Sequence, residues 1–435
     1  MKISKFKDLS LTIKGILFHY TFLRKSQFFS ETDIYTHQKN LLQDLMIHCK
    51  QNISWYTKAF RKYDIDPYNE DIFKEFYKLP VLTKNEVRES QSDFTLTGAA
   101  GKGLLFSTSG TTGEPFSVFT SPKQWINEQG VIWRHWSWAG YKFRDKIAIF
   151  RSYSPAKGMP KIKKDYLRNW SYFSVFDMDK ESIDEYAKYL IKWNPKYLRG
   201  YPSALLLICD HAIQNNWTLD GLKGAFTASE VVTEELREKL KLAFNIEVFD
   251  HYGQAEITCM LHECDSHKGM HVDWEYGHVD FIETGEPNIY KLVATNLHNY
   301  YTPLLRYDTG DMVLGPIENC TCGRTSPVVK SIFGRQDQYL IMHDGSKAST
   351  VNLYTYFSNK ENIQRFQMSQ KKPGELQIKI NPWKKMNLEE EKIFSKSIKL
   401  DLEKHSRLKI DIEMTDEFIL SLEGKFSSFI QKCEL

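Results

Sequence analysis

A loop rich in glycine and hydroxyl side chains is the clearest candidate for chemistry in this chain. It reads Ser107-Thr108-Ser109-Gly110-Thr111-Thr112-Gly113-Glu114-Pro115. Glycines permit tight turns, and successive backbone N–H groups beside hydroxyls form a concave site for phosphate oxygens. A Walker A loop is excluded, because Gly113 is followed by Glu114 and Pro115 rather than by Lys and Ser or Thr. Taken alone, this composition is equally typical of a solvent-exposed loop.

Further motifs follow this loop in a fixed order. They are Arg199-Gly200-Tyr201-Pro202-Ser203, Tyr252-Gly253-Gln254-Ala255-Glu256, Arg306-Tyr307-Asp308-Thr309-Gly310-Asp311, Gly334-Arg335-Gln336-Asp337 and Gly424-Lys425. Together they resemble the motifs of the adenylate-forming superfamily, which comprises acyl-CoA synthetases, luciferases and the adenylation domains of peptide synthetases. Within it, the sequence looks most like the phenylacetate-CoA ligase branch. Each motif is weak by itself, and their common order over residues 107–425 carries the resemblance.

The resemblance implies a reaction in which a carboxylate attacks the α-phosphorus of ATP. Two anions must be brought together, so positive charge and a metal ion are required. The resemblance assigns Glu256 as a ligand of Mg²⁺, for which a carboxylate is a suitable hard donor. It assigns Lys425 as the charge that stabilises the oxygens around the α-phosphate. Thr108 completes the predicted catalytic set; the alternatives are a surface acid at a turn for Glu256 and a solvated charge for Lys425.

The resemblance also implies which residues bind the nucleotide. Tyr252 would lie against adenine, Asp311 would accept hydrogen bonds from the ribose hydroxyls, and Arg335 would lie at an interdomain hinge. The predicted set is Ser107, Ser109, Gly110, Thr111, Thr112, Gly113, Ser229, Glu230, Tyr252, Gly253, Gln254, Asp311 and Arg335. The chain departs from much of the superfamily at Ala255, where Thr or Ser is usual, so one hydroxyl contact to phosphate is missing.

Seven cysteines, an odd number in a long chain, do not suggest a disulfide framework and favour a reducing cytoplasm. Cys264, Cys320 and Cys322 together with one histidine would make a closed, tetrahedral structural zinc site. Unligated cysteines are the alternative, because Cys-x-Cys is tighter than the common spacing. The phenylacetate-CoA ligase branch has a similar arrangement. Its Gly-Met-His match favours His271 over His267, and His267 stays open as the fourth ligand.

Length and charge limit the classes of protein that fit. A chain of 435 residues is long enough for two domains, and a formal charge of +3 does not indicate a nucleic-acid partner. The longest apolar runs are too short for a transmembrane helix. The basic first thirty residues predict an amphipathic helix that packs on the protein's own core, with peripheral membrane association as the alternative.

The pattern of apolar residues predicts an α/β fold. Residues 1 to about 95 are expected to be helical, residues 100–260 to alternate parallel strands with helices, and residues 275–315 to form an antiparallel or barrel-like part. Thr83 can cap the helix that follows Pro80, and a further helix is expected over residues 350–360. We expect a large N-terminal domain over residues 1–334 that binds ATP and the carboxylate. A small mobile α+β domain over residues 335–435, with its hinge at about 335–338, would carry Lys425.

Three functions remain open at this stage. The first is adenylation of a carboxylic or amino acid and transfer of the acyl group to an amine or hydroxyl of a sugar, nucleotide sugar or polysaccharide, because the closer resemblance is to capsule members of the branch. The basic segment 151–164 suits an anionic acceptor, or is simply a solvated surface. The second function uses CoA as acceptor. The third is a non-catalytic binding module, against which Lys425, Glu256 and Asp311 argue.

Overall fold

The computed structural model describes most of the chain. The described residues are 5–107, 117–151, 153, 155, 159–175, 178–317, 320–335, 339–343, 345, 347–349, 353, 356–357, 360, 362–383, 386–406, 408–420 and 426–433. Two compact units share the chain. The first unit comprises Met1–Lys142 and Phe249–Phe333, and the second comprises Phe143–Val248 and Gly334–Leu435.

Helices dominate the first hundred residues, as predicted. The helices are α1 (Lys5–Phe18), α2 (Arg24–Ser26), α3 (Glu31–Asn52), α4 (Ser54–Lys62), α5 (Ile72–Phe76), α6 (Lys84–Glu89), α7 (Ala99–Lys102), α8 (Pro122–Trp138), α9 (Lys180–Trp193), α10 (Pro202–Gln214), α11 (Glu234–Phe244) and α12 (Leu388–Ser406), with a π-helical turn at His19–Leu23. Thr83 caps α6 as predicted, since it accepts from Glu86 N while the Glu86 carboxylate accepts from Thr83 N.

Strands occupy the middle and the end of the chain. They are β1 (Leu104–Ser107), β2 (Ser117–Thr120), β3 (Ile147–Phe150), β4 (Ile162–Asp165), β5 (Trp170–Phe173), β6 (Tyr197–Gly200), β7 (Gly224–Ala228), β8 (Val248–Gly253), β9 (Met260–Glu263), β10 (Met270–Val272), β11 (Gly277–Glu283), β12 (Ile289–Asn296), β13 (Tyr307–Ile317), β14 (Val328–Arg335), β15 (Tyr339–Ile341), β16 (Lys347–Ser349), β17 (Ile363–Lys372), β18 (Glu375–Pro382), β19 (Lys409–Met414) and β20 (Phe429–Gln431).

In the first unit, strands neighbour one another in the order β11-β12-β13-β14-β10-β9-β8. The pairs β11–β12 and β12–β13 are antiparallel, which confirms the predicted antiparallel part over residues 275–315. Buried Leu45, Tyr56, Phe94 and Tyr307 belong to one apolar core that joins the N-terminal helices to this part of the chain. That core holds the loops after β8 and before β13 in place.

In the second unit, β3, β5, β6 and β7 run parallel, with β4 antiparallel at the edge. Helices α9, α10 and α11 alternate with these strands, and their apolar faces surround Phe150, Leu205 and Val248. This is the α/β alternation that the sequence predicts. The C-terminal residues have a separate core around Met368, Ile378 and Ile398, in which α12 packs on the sheet β19-β18-β17-β20.

The fold class is therefore the predicted α/β class. The division into a domain over residues 1–334 and a mobile domain over residues 335–435 stays a prediction. The helix expected over residues 350–360 falls largely outside the described residues.

Candidate active site and metal centre

The motif after β8 brings a tyrosine and an aspartate together in the first unit. Tyr252 lies near the end of β8, and its hydroxyl donates to Asp311 Oδ2 at 2.6 Å. The backbone N–H of Asp311 donates to the Thr309 hydroxyl at 3.1 Å, which holds the turn that presents the carboxylate. Desolvation and the Asp311 charge raise the pKa of Tyr252 well above its ordinary value, so this tyrosine keeps its proton. Two residues that are predicted to bind adenosine are thus hydrogen-bonded to each other.

Glu256 is buried, with 6% of its surface exposed, and one of its oxygens is shared by two donors. Lys84 Nζ lies 3.1 Å from Oε1, and the Tyr307 hydroxyl donates to the same oxygen at 3.3 Å. Burial and the neighbouring Glu256 charge raise the pKa of Tyr307. The lysine compensates a carboxylate that would otherwise be costly to bury. A carboxylate is a suitable oxygen donor for Mg²⁺.

The backbone beside Glu256 is strained. Ile257 has a φ of 52°, a left-handed conformation that a β-branched residue rarely adopts. The side-chain amide of Asn296 donates to the Ile257 carbonyl and holds this turn. Such strain persists only where the surroundings enforce it, and it frequently marks functional sites.

The sequence did not predict that Lys84 and Tyr307 contact Glu256. Tyr307 lies in a quoted motif, so its type and place were visible. Lys84 is at the first position of α6, and the cap at Thr83 was predicted, but 172 residues separate the lysine from Glu256. Neither spacing nor periodicity connects residues so far apart.

In the second unit, Glu230 links three segments of the chain. It accepts hydrogen bonds from the Ser203 backbone N–H at 2.9 Å and from the Ser203 hydroxyl at 3.0 Å. The backbone N–H of Phe426 donates to Glu230 Oε1 at 2.8 Å. Burial raises the pKa of Glu230, while these donors oppose the shift. Ser229 beside it has a φ of 76° and receives a long hydrogen bond from Arg151, at 3.5 Å.

Three cysteines and one histidine converge in the first unit. The sulfur atoms of Cys264 and Cys320 are 3.7 Å apart, and Cys322 Sγ is 3.3 Å from His271 Nε2. The potential ligand atoms of all four residues lie within 4.8 Å of one another. His267 instead contacts the Glu263 carboxylate at 3.3 Å. The structure thus brings His271 to the cysteines, and the donor set suits a closed tetrahedral site.

The remaining predicted site residues divide into those outside and those within the described residues. Thr108, Ser109, Gly110, Thr111, Thr112, Gly113 and Lys425 lie outside the described residues. Ser107 and Arg335 are the last residues of β1 and β14. Gly253 and Gln254 follow Tyr252, and the Gln254 amide lies against Thr258 and Cys259 Sγ. A Cβ added at Gly253 would lie 2.8 Å from His251 Nε2, so the His251 ring would have to shift to admit any other residue.

Comparisons with known proteins relate the chain to ligases. No protein-family model matches it. The chain is 25% identical to Protein CapK of Staphylococcus aureus over 375 residues, which cover 82% of this chain and 81% of CapK. It is 23% identical over 331 residues to phenylacetate-coenzyme A ligase of Thermus thermophilus, with 73% and 72% covered. The crystal structure of 2-hydroxyisobutyryl-CoA ligase in the postadenylation state has the same fold, with a TM-score of 0.69, 16% identity, and 93% and 90% of the two chains covered.

The chain therefore shares the fold of adenylate-forming, AMP-forming ligases, and its sequence is similar to those of CapK and the phenylacetate-coenzyme A ligases.

Among the residues that the structure describes, no helix has the length and apolar character needed to cross a bilayer.

Proposed function

We propose that this protein adenylates a carboxylic acid and then transfers the acyl group to a sugar in surface polysaccharide biosynthesis. In the first step, a carboxylate oxygen attacks the α-phosphorus of ATP, the bond to the β-phosphate oxygen breaks, and pyrophosphate leaves. In the second step, an amine or hydroxyl of the acceptor attacks the acyl carbon and AMP leaves.

The contact between Phe426 and Glu230 is the observation that carries the proposal. Phe426 directly follows Lys425 in the sequence, and its backbone donates to Glu230, which lies in the predicted adenine-side loop. Ser203 of another quoted motif donates to the same carboxylate. Three segments that are far apart in the chain therefore meet at one partly buried carboxylate. This supports a role for Lys425 beside the nucleotide.

The first unit supports the same half-reaction independently. Tyr252 and Asp311 would hold the adenosine, because an ionised carboxylate can accept from both ribose hydroxyls. Glu256 would hold Mg²⁺, which neutralises phosphate charge when bound. Lys84 Nζ lies 3.1 Å from Glu256 Oε1, so we propose that this lysine keeps the carboxylate oriented.

The favoured acceptor follows from likeness and charge. CapK is among the relatives, at 25% identity over most of both chains, and the motifs resemble those of capsule members of the branch. Lys163 and Lys164 are exposed on β4 and lie 5.8 and 5.1 Å from the rings of Tyr153 and Tyr189. Exposed cations beside aromatic rings suit an anionic sugar or nucleotide sugar. Transfer to CoA is the alternative, as in the phenylacetate-coenzyme A ligases by name.

We further propose that Cys264, His271, Cys320 and Cys322 hold a structural zinc ion. Three thiolates and one imidazole leave no open position, so the ion would cross-link the segment after β9 to the segment before β14. Such a site is favoured in a reducing compartment, which fits a cytoplasmic protein.

Exchange of labelled pyrophosphate into ATP tests the first half-reaction. Purified protein would be screened against aliphatic, aromatic, hydroxy and amino acids with Mg²⁺. We expect exchange with at least one class of acid, and loss of that exchange in Glu256→Gln. If no acid supports exchange while the protein is folded, the adenylation proposal is wrong.

The acceptor is tested separately, with the acid that the screen identifies. Release of AMP would be measured with CoA, with UDP-linked amino sugars and with uronate oligosaccharides. We expect acyl transfer to a sugar and little thioester. Robust thioester formation without transfer to any sugar would replace the favoured acceptor with CoA.

A further inference from the structure

Three histidines form a second cluster in the first unit, apart from the four proposed zinc ligands. His135 comes from α8, His251 from β8 and His262 from β9. One ring nitrogen from each lies within 4.8 Å of those of the other two. We propose that these three imidazoles bind a divalent transition-metal ion of the class that prefers nitrogen ligands, such as Zn²⁺, Ni²⁺ or Cu²⁺.

Strand register explains why the rings converge. His251 and His262 are direct partners across the antiparallel pair β8–β9. Directly opposed residues point to the same face of a sheet. Helix α8 contributes His135, whose ring stacks on that of His262 with centroids 4.1 Å apart. Because side chains alternate along β8, Tyr252 points to the opposite face.

The central histidine is held in the orientation that a metal ligand needs. His262 is fully buried, and its Nδ1 contacts Asp273 Oδ2. Asp273 is ion-paired with Arg134 at 2.6 Å, so its carboxylate is held in place behind the His262 ring. The other ring nitrogen of His262, Nε2, lies 2.8 Å from His251 Nδ1. A carboxylate behind a histidine is the usual support for a metal-bound imidazole.

Distances and charge are compatible with one ion. The His251 and His262 ring centroids are 4.5 Å apart, while those of His135 and His251 are 6.3 Å apart. Metal–nitrogen bonds of about 2.0–2.1 Å put the ligand atoms of a tetrahedral site about 3.3 Å apart. The ring nitrogens lie within 4.8 Å of one another, so small ring rotations suffice. The adjacent ion pairs place one guanidinium, Arg134, between the carboxylates of Asp273 and Glu275. A bound cation would offset the excess of negative charge.

The two candidate metal sites are separated by an aromatic ring. Trp138 of α8 lies edge-on to His262 and tilted against His271, with centroid distances of 6.3 and 6.2 Å. His262 on β9 has two cross-strand partners: His251 on β8 and His271 on β10. Each site would thus hold its own ion, and the two donor sets differ in that only one contains sulfur.

Titration of the chelator-treated full chain with Co²⁺ distinguishes the two sites. Cobalt on thiolates gives intense sulfur-to-metal charge-transfer absorption, whereas cobalt on imidazoles gives only weak d–d bands. We expect wild type to bind one ion of each kind. His251→Gln should lose the ion without charge-transfer absorption, and the double variant Cys320→Ser/Cys322→Ser should lose the other.

His211→Gln is the matched control, since His211 contacts Asp184 at 2.7 Å but belongs to neither cluster. It should bind as many ions as wild type. Circular dichroism would establish that each variant is folded. The proposal is wrong if His251→Gln binds as many ions as wild type, or if the folded double cysteine variant binds none. In that case His262 and His251 form a hydrogen-bonded pair beside Asp273, with His135 stacked on His262, and nothing more. These readouts do not depend on the proposed enzymatic activity.

Discussion

Glu256 is a buried carboxylate and Glu230 a partly buried one, and the protein compensates their charges differently. Glu256 has a cation, Lys84, at 3.1 Å and a tyrosine hydroxyl on the same oxygen. Glu230 instead accepts from the backbone and hydroxyl groups of Ser203 and from the backbone N–H of Phe426. These donors, and after them the charge of Arg365, oppose the rise in the pKa of Glu230 that burial causes. Glu256 is therefore held mainly by an ion pair and Glu230 mainly by hydrogen bonds.

We expect Lys425→Ala to separate the two half-reactions. Loss of one preorganised charge at the reacting phosphate should slow adenylation by about 100-fold to 1,000-fold. Transfer from a preformed acyl-adenylate should stay within several-fold of wild type, because the lysine is predicted to withdraw before transfer. Single-turnover assays of each step would measure the split. Lys432 lies seven residues further on, and Lys432→Ala should affect neither step. Equal losses in both steps of Lys425→Ala would contradict the predicted withdrawal of Lys425 before transfer.

At the scale of elements, α8 is fastened to the strand region by buried ion pairs. Arg134 Nη2 lies 2.6 Å from the Asp273 carboxylate, and Nη1 lies 2.6 Å from the Glu275 carboxylate. All three side chains are at most 3% exposed. Ser26 also donates to Glu275, which ties the N-terminal segment to the same group. The arrangement positions α8, and with it His135 and Trp138.

Removing the guanidinium should therefore destabilise the first unit strongly. We expect Arg134→Met to lower the free energy of unfolding by about 3–5 kcal/mol, because two buried carboxylates lose their cation. Urea denaturation would measure the change. Lys58→Met is the control: Lys58 pairs with Asp93 but is 71% exposed, and such pairs contribute about 0–1 kcal/mol. Equal effects of the two substitutions would show that the buried pairs do not stabilise α8.

At the scale of the whole molecule, one buried acid should shape the dependence of stability on pH. Burial raises the pKa of Glu128 from 4.5 to about 7, and the Tyr276 hydroxyl lies 3.2 Å from its carboxylate. Between these values the folded protein holds a proton that the unfolded chain has released. The free energy of unfolding should therefore fall as pH rises from about 4.5 to about 7.

We expect Glu128→Gln to remove this contribution, which is about 3 kcal/mol over the interval at roughly 1.4 kcal/mol per pKa unit. The comparison is the difference between variant and wild type in denaturation midpoints at several pH values. It isolates Glu128 from His19 and His298, whose pKa values of about 4 act in the opposite direction. Parallel curves for variant and wild type would mean that Glu128 is ionised in the folded protein.

Local patterns were sufficient to predict much of the architecture. Periodicity and capping depend on neighbouring residues. They predict the helical N-terminal segment, the Thr83 cap, the parallel strands β3, β5, β6 and β7 with their helices, and the antiparallel strands β11 to β13. The family resemblance was equally accessible, because it rests on short motifs in a fixed order. The resemblance predicted that Glu256 binds the metal ion and that Tyr252, Asp311 and Glu230 bind the nucleotide.

Contacts between distant segments were decided by the tertiary structure alone. Sequence could not pair Lys84 with Glu256, choose His271 over His267 at the cysteines, or bring His135 from a helix onto His251 and His262. Such contacts depend on strand register and on how a helix lies across a sheet, and both are set by burial of the whole apolar core rather than by residues nearby in the chain. The motifs thus determined which chemistry the chain can carry, and the packing decided which side chains stand together to perform it.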